Sequence, residues 1–149
     1  MKITCLLVLG LGTAVSSHGQ AASDSVAIKR VLEKEPATWR AGDVQGHAHC
    51  WAIRPYSRIL IATGDGTVLD VPPATMLNPP PTLIGKGGSA VNSNYKMNIA
   101  GNNAWVSHDE VSTASNGVKS YSSEVRMLEK VSGEWKLVGQ TVLVKKKQN

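Results

Sequence analysis

The chain changes its hydrophobic period twice. From Met1 a single lysine, Lys2, precedes an apolar run from Ile3 to Val15, closed by the small and polar residues Ser16-Ser17-His18-Gly19-Gln20. Residues 24–41 then carry Ile28, Val31, Leu32, Glu35 and Trp39 at helical spacing, which predicts an amphipathic helix. Ser23 or Ser25 caps its start. Pro36 lacks the donor that a helix interior needs, so a kink there or a late start is expected. Gly42 suits the left-handed residue that ends a helix, and Asp43 suits the cap of a second, roughly Val44–Trp51.

Beyond Pro55 the period becomes two. Ser57–Thr63 and Thr67–Val71 read as strands around the turn Gly64-Asp65-Gly66. Residues 72–93 contain Pro72, Pro73, Pro79–Pro81, Gly85, Gly87 and Gly88. That composition excludes a long helix and predicts a loop over the body of the fold, with at most a helical turn at Ala74–Leu77. Four strands follow: Asn94–Ala100, Ala104–Thr113, Val118–Val131 and Glu134–Lys145, the last two a hairpin around Ser132-Gly133. Helices first and antiparallel strands after predict an α+β domain, with the helices on one face of the sheet.

Composition narrows the function. With 149 residues, 42% apolar and 18% charged, one domain with a real core is expected, over residues 24–145. The order of charge, apolar run and small residues over 1–19 is that of a signal peptide, too short for a bilayer span, and predicts a secreted or periplasmic protein with no stable membrane anchor. Removing it takes away Lys2 and Cys5, leaving a net charge of 15 − 11 = +4. Much of the excess sits in the terminal lysines around the basic tail 146–149, a solvated end rather than a nucleic-acid surface. Cys50 is then unpaired within the chain and is expected to be a buried small apolar residue.

Four segments occur in an order that resembles the nuclear transport factor 2-like superfamily, and within it the SnoaL-like secreted bacterial proteins. They are W-R-A-G-D at Trp39–Asp43, D-G-T-V-L at Asp65–Leu69, A-W-V-S-H-D at Ala104–Asp109, and S-S-E-V-R-M-L-E-K-V-S-G-E-W-K-L-V at Ser122–Val138. The resemblance implies a cone: a strongly bent sheet wrapped around the N-terminal helices, with a pocket between them. It also implies a homodimer through the outer sheet face, since Tyr121–Leu128 and Leu137–Val144 carry apolar or mixed residues on both faces. The proline-rich stretch departs from the family, which places a glycine and a third helix there. Members include isomerases, dehydratases, cyclases and non-catalytic transport factors, so the fold implies little about activity.

Placed on that cone, Trp39, Trp51, Tyr56, His108 and Tyr121 are expected to line one cavity for a small apolar organic molecule. His108 is the expected proton-transfer group, sharing a strand face with Glu110, and Tyr121 the hydrogen-bond donor to a ligand oxygen. Catalysis would need no cofactor. The alternative is a non-catalytic dimeric binding or interaction module. His47 and His49, two apart on a helix, point in different directions, so no shared metal is expected. The alternation Ser122, Glu124, Arg126 is read as a sheet-surface ion pair; turned inward, Arg126 would offer its fork of donors to an anionic group. No nucleophile elbow, phosphate loop or dinucleotide fingerprint is present.

Overall fold

The computed structural model describes residues 17–145; the apolar run of the expected signal peptide and the basic tail lie outside the described residues. Helix α1 is Ser17–Ala41 and α2 is Val44–His49. Strands β1 (Ile59–Ala62) and β2 (Val68–Val71) form the first hairpin, and a 3-10 turn, Pro73–Met76, stands in the proline-rich stretch. Strands β3 (Ser89–Ala100), β4 (Asn103–Thr113), β5 (Lys119–Val131) and β6 (Glu134–Val144) complete one six-stranded sheet, ordered β2-β1-β6-β5-β4-β3. All neighbours are antiparallel except β1 and β6, which run parallel. The fold is α+β, as expected, with a curled, unclosed sheet. The register shifts between Ser93 and Lys96 and between Met127 and Leu128, and such bulges sharpen the local bend of a strand.

Helix α1 starts earlier than its periodicity predicts and runs unbroken through Pro36. Proline at 36 removes the N–H that would have bonded the carbonyl of Leu32, four residues back. Asn92 of β3 replaces it: its Nδ2 donates to Leu32 O at 3.3 Å. The sheet thus repairs the one defect in the helix. At the other end Gly42 takes φ +79° and Asp43 caps α2, its carboxylate accepting from Gly46 N at 2.8 Å. Helix α2 stops at His49, because Cys50 and Trp51 are stitched onto β6: Leu137 N donates to Cys50 O, and Ala52 N to Leu137 O, each at 2.8 Å.

The apolar core occupies one end of the cone. Ile28 and Leu32 of α1 pack on Val106, Leu128, Leu137 and Trp135 of the sheet, with Trp51 and Met76 closing the side. Cys50 is buried there, and burial pushes its thiol up to about 11, which suits the inert apolar role expected of it. The proline-rich stretch is a strap across the end of α1. It is held by the buried Met76, Pro79 and Ile84 and by two backbone bonds, Gly85 N to Trp39 O (2.9 Å) and Gly87 N to Arg40 O (3.0 Å). As its composition predicts, the stretch is a loop with one short helical turn, Pro73–Met76.

A buried ion chain between two histidines

The inner sheet face changes character along its length. Ala104, Val106 and Leu128 are apolar, and beyond them the same faces of β4, β5 and β6 carry His108, Glu110, Ser122, Glu124, Arg126 and Gln140, all buried. Register sets their neighbours: His108 lies opposite Glu124, Glu110 opposite Ser122, and Arg126 opposite Gln140. Helix α1 brings Glu35 and Arg40 down onto them, and α2 brings His47.

Arg126 is the hub. Its Nε donates to Glu124 Oε2 at 2.9 Å, Nη2 donates to the same carboxylate, and Nη1 donates to Glu35 Oε2 at 3.3 Å and to the Gln140 side-chain oxygen. Ser122 Oγ donates to Glu124 Oε1 at 3.0 Å. Glu35 in turn faces His47: Nδ1 lies 3.2 Å from the Glu35 backbone carbonyl and 3.6 Å from its carboxylate. A carbonyl only accepts, so Nδ1 is the donor of this hydrogen bond. At the other end His108 Nε2 stands 3.7 Å from Glu124 Oε2, outside hydrogen-bond reach. The result is a line, His47–Glu35–Arg126–Glu124–His108, running from α2 across the cone to β4. Beside it Arg40 Nη2 donates to Glu110 Oε1 at 2.9 Å and to Ser112 Oγ at 2.7 Å.

Burial and neighbouring charge set the protonation states. Burial, and then the Arg126 guanidinium, push the His108 imidazole below its ordinary value, so it is neutral at pH 7. Burial and the nearby Glu124 push the Glu110 carboxyl up, only partly opposed by Arg40. Burial also works against the charge on Glu124, but Arg126 and His108 outweigh it and hold that carboxyl below the usual range. Burial opposes the charge on Arg126 too, and Glu124 and Glu35 more than offset it. Neither ring nitrogen of His108 meets a protein partner at hydrogen-bond geometry, nor do His47 Nε2, Trp51 Nε1 or Asn92 Oδ1, all of them buried atoms.

Of the five residues expected to line one cavity, three sit on or beside this line and two do not. Trp39 packs edge-on against His47 (4.9 Å between centroids), and the Trp51 ring lies tilted 6.4 Å from the same imidazole. His108 faces inward with Glu110, as the alternation predicts, and Tyr95 of β3 covers it at 5.4 Å. Tyr56 is 64% exposed, on the loop before β1, and its hydroxyl donates to Glu129 rather than reaching the interior. Tyr121 is on the outer sheet face, 46% exposed, because it has the opposite parity to Ser122, Glu124 and Arg126. The Glu124–Arg126 pair is correspondingly internal, not a surface pair, and Arg126 has given four of its contacts to the protein. The parity of Leu128 was the available signal: an apolar residue on the same face marks that face as the inner one. Likewise Glu35 falls on the helix stripe of Ile28 and Leu32. His47 and His49 do diverge: His47 is fully buried, while His49 is exposed beside Glu134. Among the described residues no three His, Cys, Asp or Glu side chains gather as metal ligands would.

A groove of about 350 Å³ opens between the last turns of α1 and the start of β3, lined by Glu33, Pro36, Arg40, Gly88, Ala90 and Asn92. Arg40 and Asn92 reach from this groove into the polar interior.

Neither a protein-family profile nor a curated protein sequence matches the chain. Solved structures do. Rv3472 of Mycobacterium tuberculosis, of unknown function, superposes with a TM-score of 0.70 at 14% identity, over 90% of this chain and 79% of that one. An NTF2-like protein of unknown function from Methylobacillus flagellatus superposes with a TM-score of 0.60 at 19% identity, over 92% of this chain and all of the other (100%). A protein of unknown function with a cystatin-like fold from Nostoc punctiforme gives 0.60 at 14% identity, over 83% and 92%. The helices packed in a curled six-stranded sheet thus have the nuclear transport factor 2-like fold.

Proposed function

We propose that this chain is a secreted SnoaL-like domain that binds a small organic molecule in the polar half of the cone, with His108 as a cofactor-free acid/base group. The observation that carries the reading is His108 itself: a buried, neutral imidazole whose two ring nitrogens have no protein partner. Folded proteins seldom leave such atoms unmatched, and those that do so tend to use them on a ligand or a bound water. A neutral imidazole is also the form able to accept a proton, and Glu124 at 3.7 Å would steady the imidazolium that results. The groove between α1 and β3 is of small-molecule size, and Arg40, which lines it, bonds to the buried Glu110 beside His108. The interior is more polar than an apolar pocket, so the ligand is one with a hydrogen-bonding head and an apolar body beside Trp39 and Trp51.

The test is native purification of the full chain, denaturation, and mass spectrometry of what is released, compared between wild type and His108→Gln. A compound retained by the wild type at near-stoichiometric level and lost from a folded His108→Gln protein supports the reading. Retention unchanged by that substitution sinks the role of His108.

A separate observation favours pairing of two copies. On the outer sheet face Trp105 lies directly opposite Met127 on the next strand, 46% and 41% exposed, with Tyr121 and Leu143 also exposed nearby. Apolar side chains of that size on one sheet face suit a homodimer interface.

A further inference from the structure

Resting on the reading of the interior as a ligand site, we infer that Tyr95 is its second ligand-contacting residue, donating its phenol hydrogen to an oxygen of the ligand beside His108, and that Asp109, on the outer sheet face, is the positioning residue that aims it. The irregularity in β3 carries this inference. Ser93 pairs with Asp109 and Lys96 with Ser107, so two residues, Asn94 and Tyr95, stand opposite the single His108. That is a β-bulge, and bulges re-aim side chains, often next to functional sites. The inward parity of β3 switches across it, from Ala90 and Asn92 to Tyr95, Met97 and Ile99. With unbroken alternation Asn94 would follow Asn92 inward and Tyr95 would point to solvent. The extra residue instead brings the Tyr95 ring to 5.4 Å from the His108 imidazole. The Tyr95 hydroxyl is buried there without a protein partner, as are Asn92 Oδ1 and both ring nitrogens of His108. Three side chains of two paired strands thus end in unmatched polar atoms. Burial raises the Tyr95 phenol above its ordinary value, so it keeps its proton and can donate. Tyr121, which faces outward, cannot take that part.

The bulge is held from the other side of the sheet. Asn94 takes φ +55°, a left-handed conformation that side-chain-bearing residues adopt seldom and keep only where their surroundings fix it. Asp109 does the fixing. Asn94 Nδ2 donates to Asp109 Oδ2 at 2.8 Å, while Oδ1 accepts from Ser123 Oγ at 2.6 Å and from Lys145 Nζ at 2.9 Å. Those three donors, Asn94 first, hold the Asp109 carboxyl well below the usual range, so the anchor stays charged. Successive residues of β4 therefore divide the work: Asp109 outside secures the bulge, and His108 inside meets the ring that the bulge delivers.

Two probes of one shape test this: benzyl alcohol, and toluene, which lacks its hydroxyl. Each is titrated at pH 7 into the full chain and followed by the His108 side-chain ¹H–¹⁵N signals, assigned with His108→Gln. The quantity read is the ratio of the two affinities. Tyr95→Phe removes only the phenol oxygen and is expected to cut the preference for benzyl alcohol by roughly fivefold, the loss of one hydrogen bond. Asp109→Ala is expected to cut it similarly from the outer face, whereas a merely structural loss would lower the melting temperature and weaken both probes alike. Adding Asn94→Gly to Asp109→Ala should restore the preference, because glycine takes positive φ unaided. An unchanged ratio in Tyr95→Phe overturns the inference and leaves the interior site standing. An unchanged ratio in Asp109→Ala, or no rescue by glycine, overturns the positioning role; the Tyr95→Phe result does not depend on those variants folding. If neither probe moves His108, the interior is not the ligand site and both readings fall.

Discussion

Replacing Arg126 by methionine isolates what the ion chain does for the fold. Arg126 is 4% exposed, and its guanidinium bridges Glu35, Glu124 and Gln140. Methionine of similar length leaves little cavity, so the main effect is electrostatic: two buried carboxylates lose their counter-ion. Breaking a buried pair by removing one partner costs about 3–5 kcal/mol. For a domain of this size that corresponds to a fall in Tm of roughly 10–20 °C. The triple variant Glu35→Gln, Glu124→Gln, Arg126→Met removes the charges together, and most of the loss should return, because a buried ion cluster is roughly neutral in net stability against uncharged replacements. Urea denaturation at pH 7 measures both. If Arg126→Met costs less than about 1 kcal/mol, as an exposed pair would, or if the triple variant is no better than the single one, the guanidinium is not the hub described above.

The same cluster sets the acid limb of stability. His108 has a folded-state pKa below its ordinary value of 6.5, so as pH falls through 6.5 the unfolded chain takes up a proton that the folded chain refuses, and stability drops. Glu110, raised by burial, works in the opposite sense, losing stability as pH rises above its unfolded value of 4.5. His108→Gln should therefore flatten the decline between pH 7 and 5 in denaturation curves; an unchanged slope would show that the imidazole is not held neutral. At the start of β3, Gly88 has φ +89°, and a Cβ there would lie 2.2 Å from Thr113 O, so Gly88→Ala should cost about 2–4 kcal/mol from backbone strain and overpacking together, read by thermal melting. On the outer face, Trp105→Lys with Met127→Glu should give a monomer by light scattering without loss of helical signal; a wild-type monomer at micromolar concentration would count against pairing. Intact-mass measurement of the exported protein should find cleavage near Gly19, and full-length chain in the cytosol would refute export.

The periodicities of this chain determine a good deal by themselves. The switch from helical spacing to alternation at Pro55 is enough to give two helices followed by six strands. Gly42, Asp43 and Ser132-Gly133 mark their boundaries by local backbone chemistry, which needs no knowledge of the rest of the fold: Ser132 and Gly133 both take positive φ, as a tight hairpin turn requires. Strand parity likewise fixes that His108 and Glu110 share a face.

What periodicity does not supply is which face is inside. That depends on where α1 lies on the sheet, a long-range contact, and it is why Tyr121 turns outward while Glu124 and Arg126 turn in. Tyr56 shows the same limit for a loop, since its direction is set by Glu129, 73 residues away in sequence. Pro36 shows it for a helix: local propensity predicts a kink or a late start, and a side chain from β3 supplies the missing bond. The ion chain is the largest such case. Glu35, His47, His108, Glu124 and Arg126 come from four separate elements, each unremarkable in its own segment. Only the packing of two helices into a curled sheet places them in one line, where the loss of water makes their charges depend on each other.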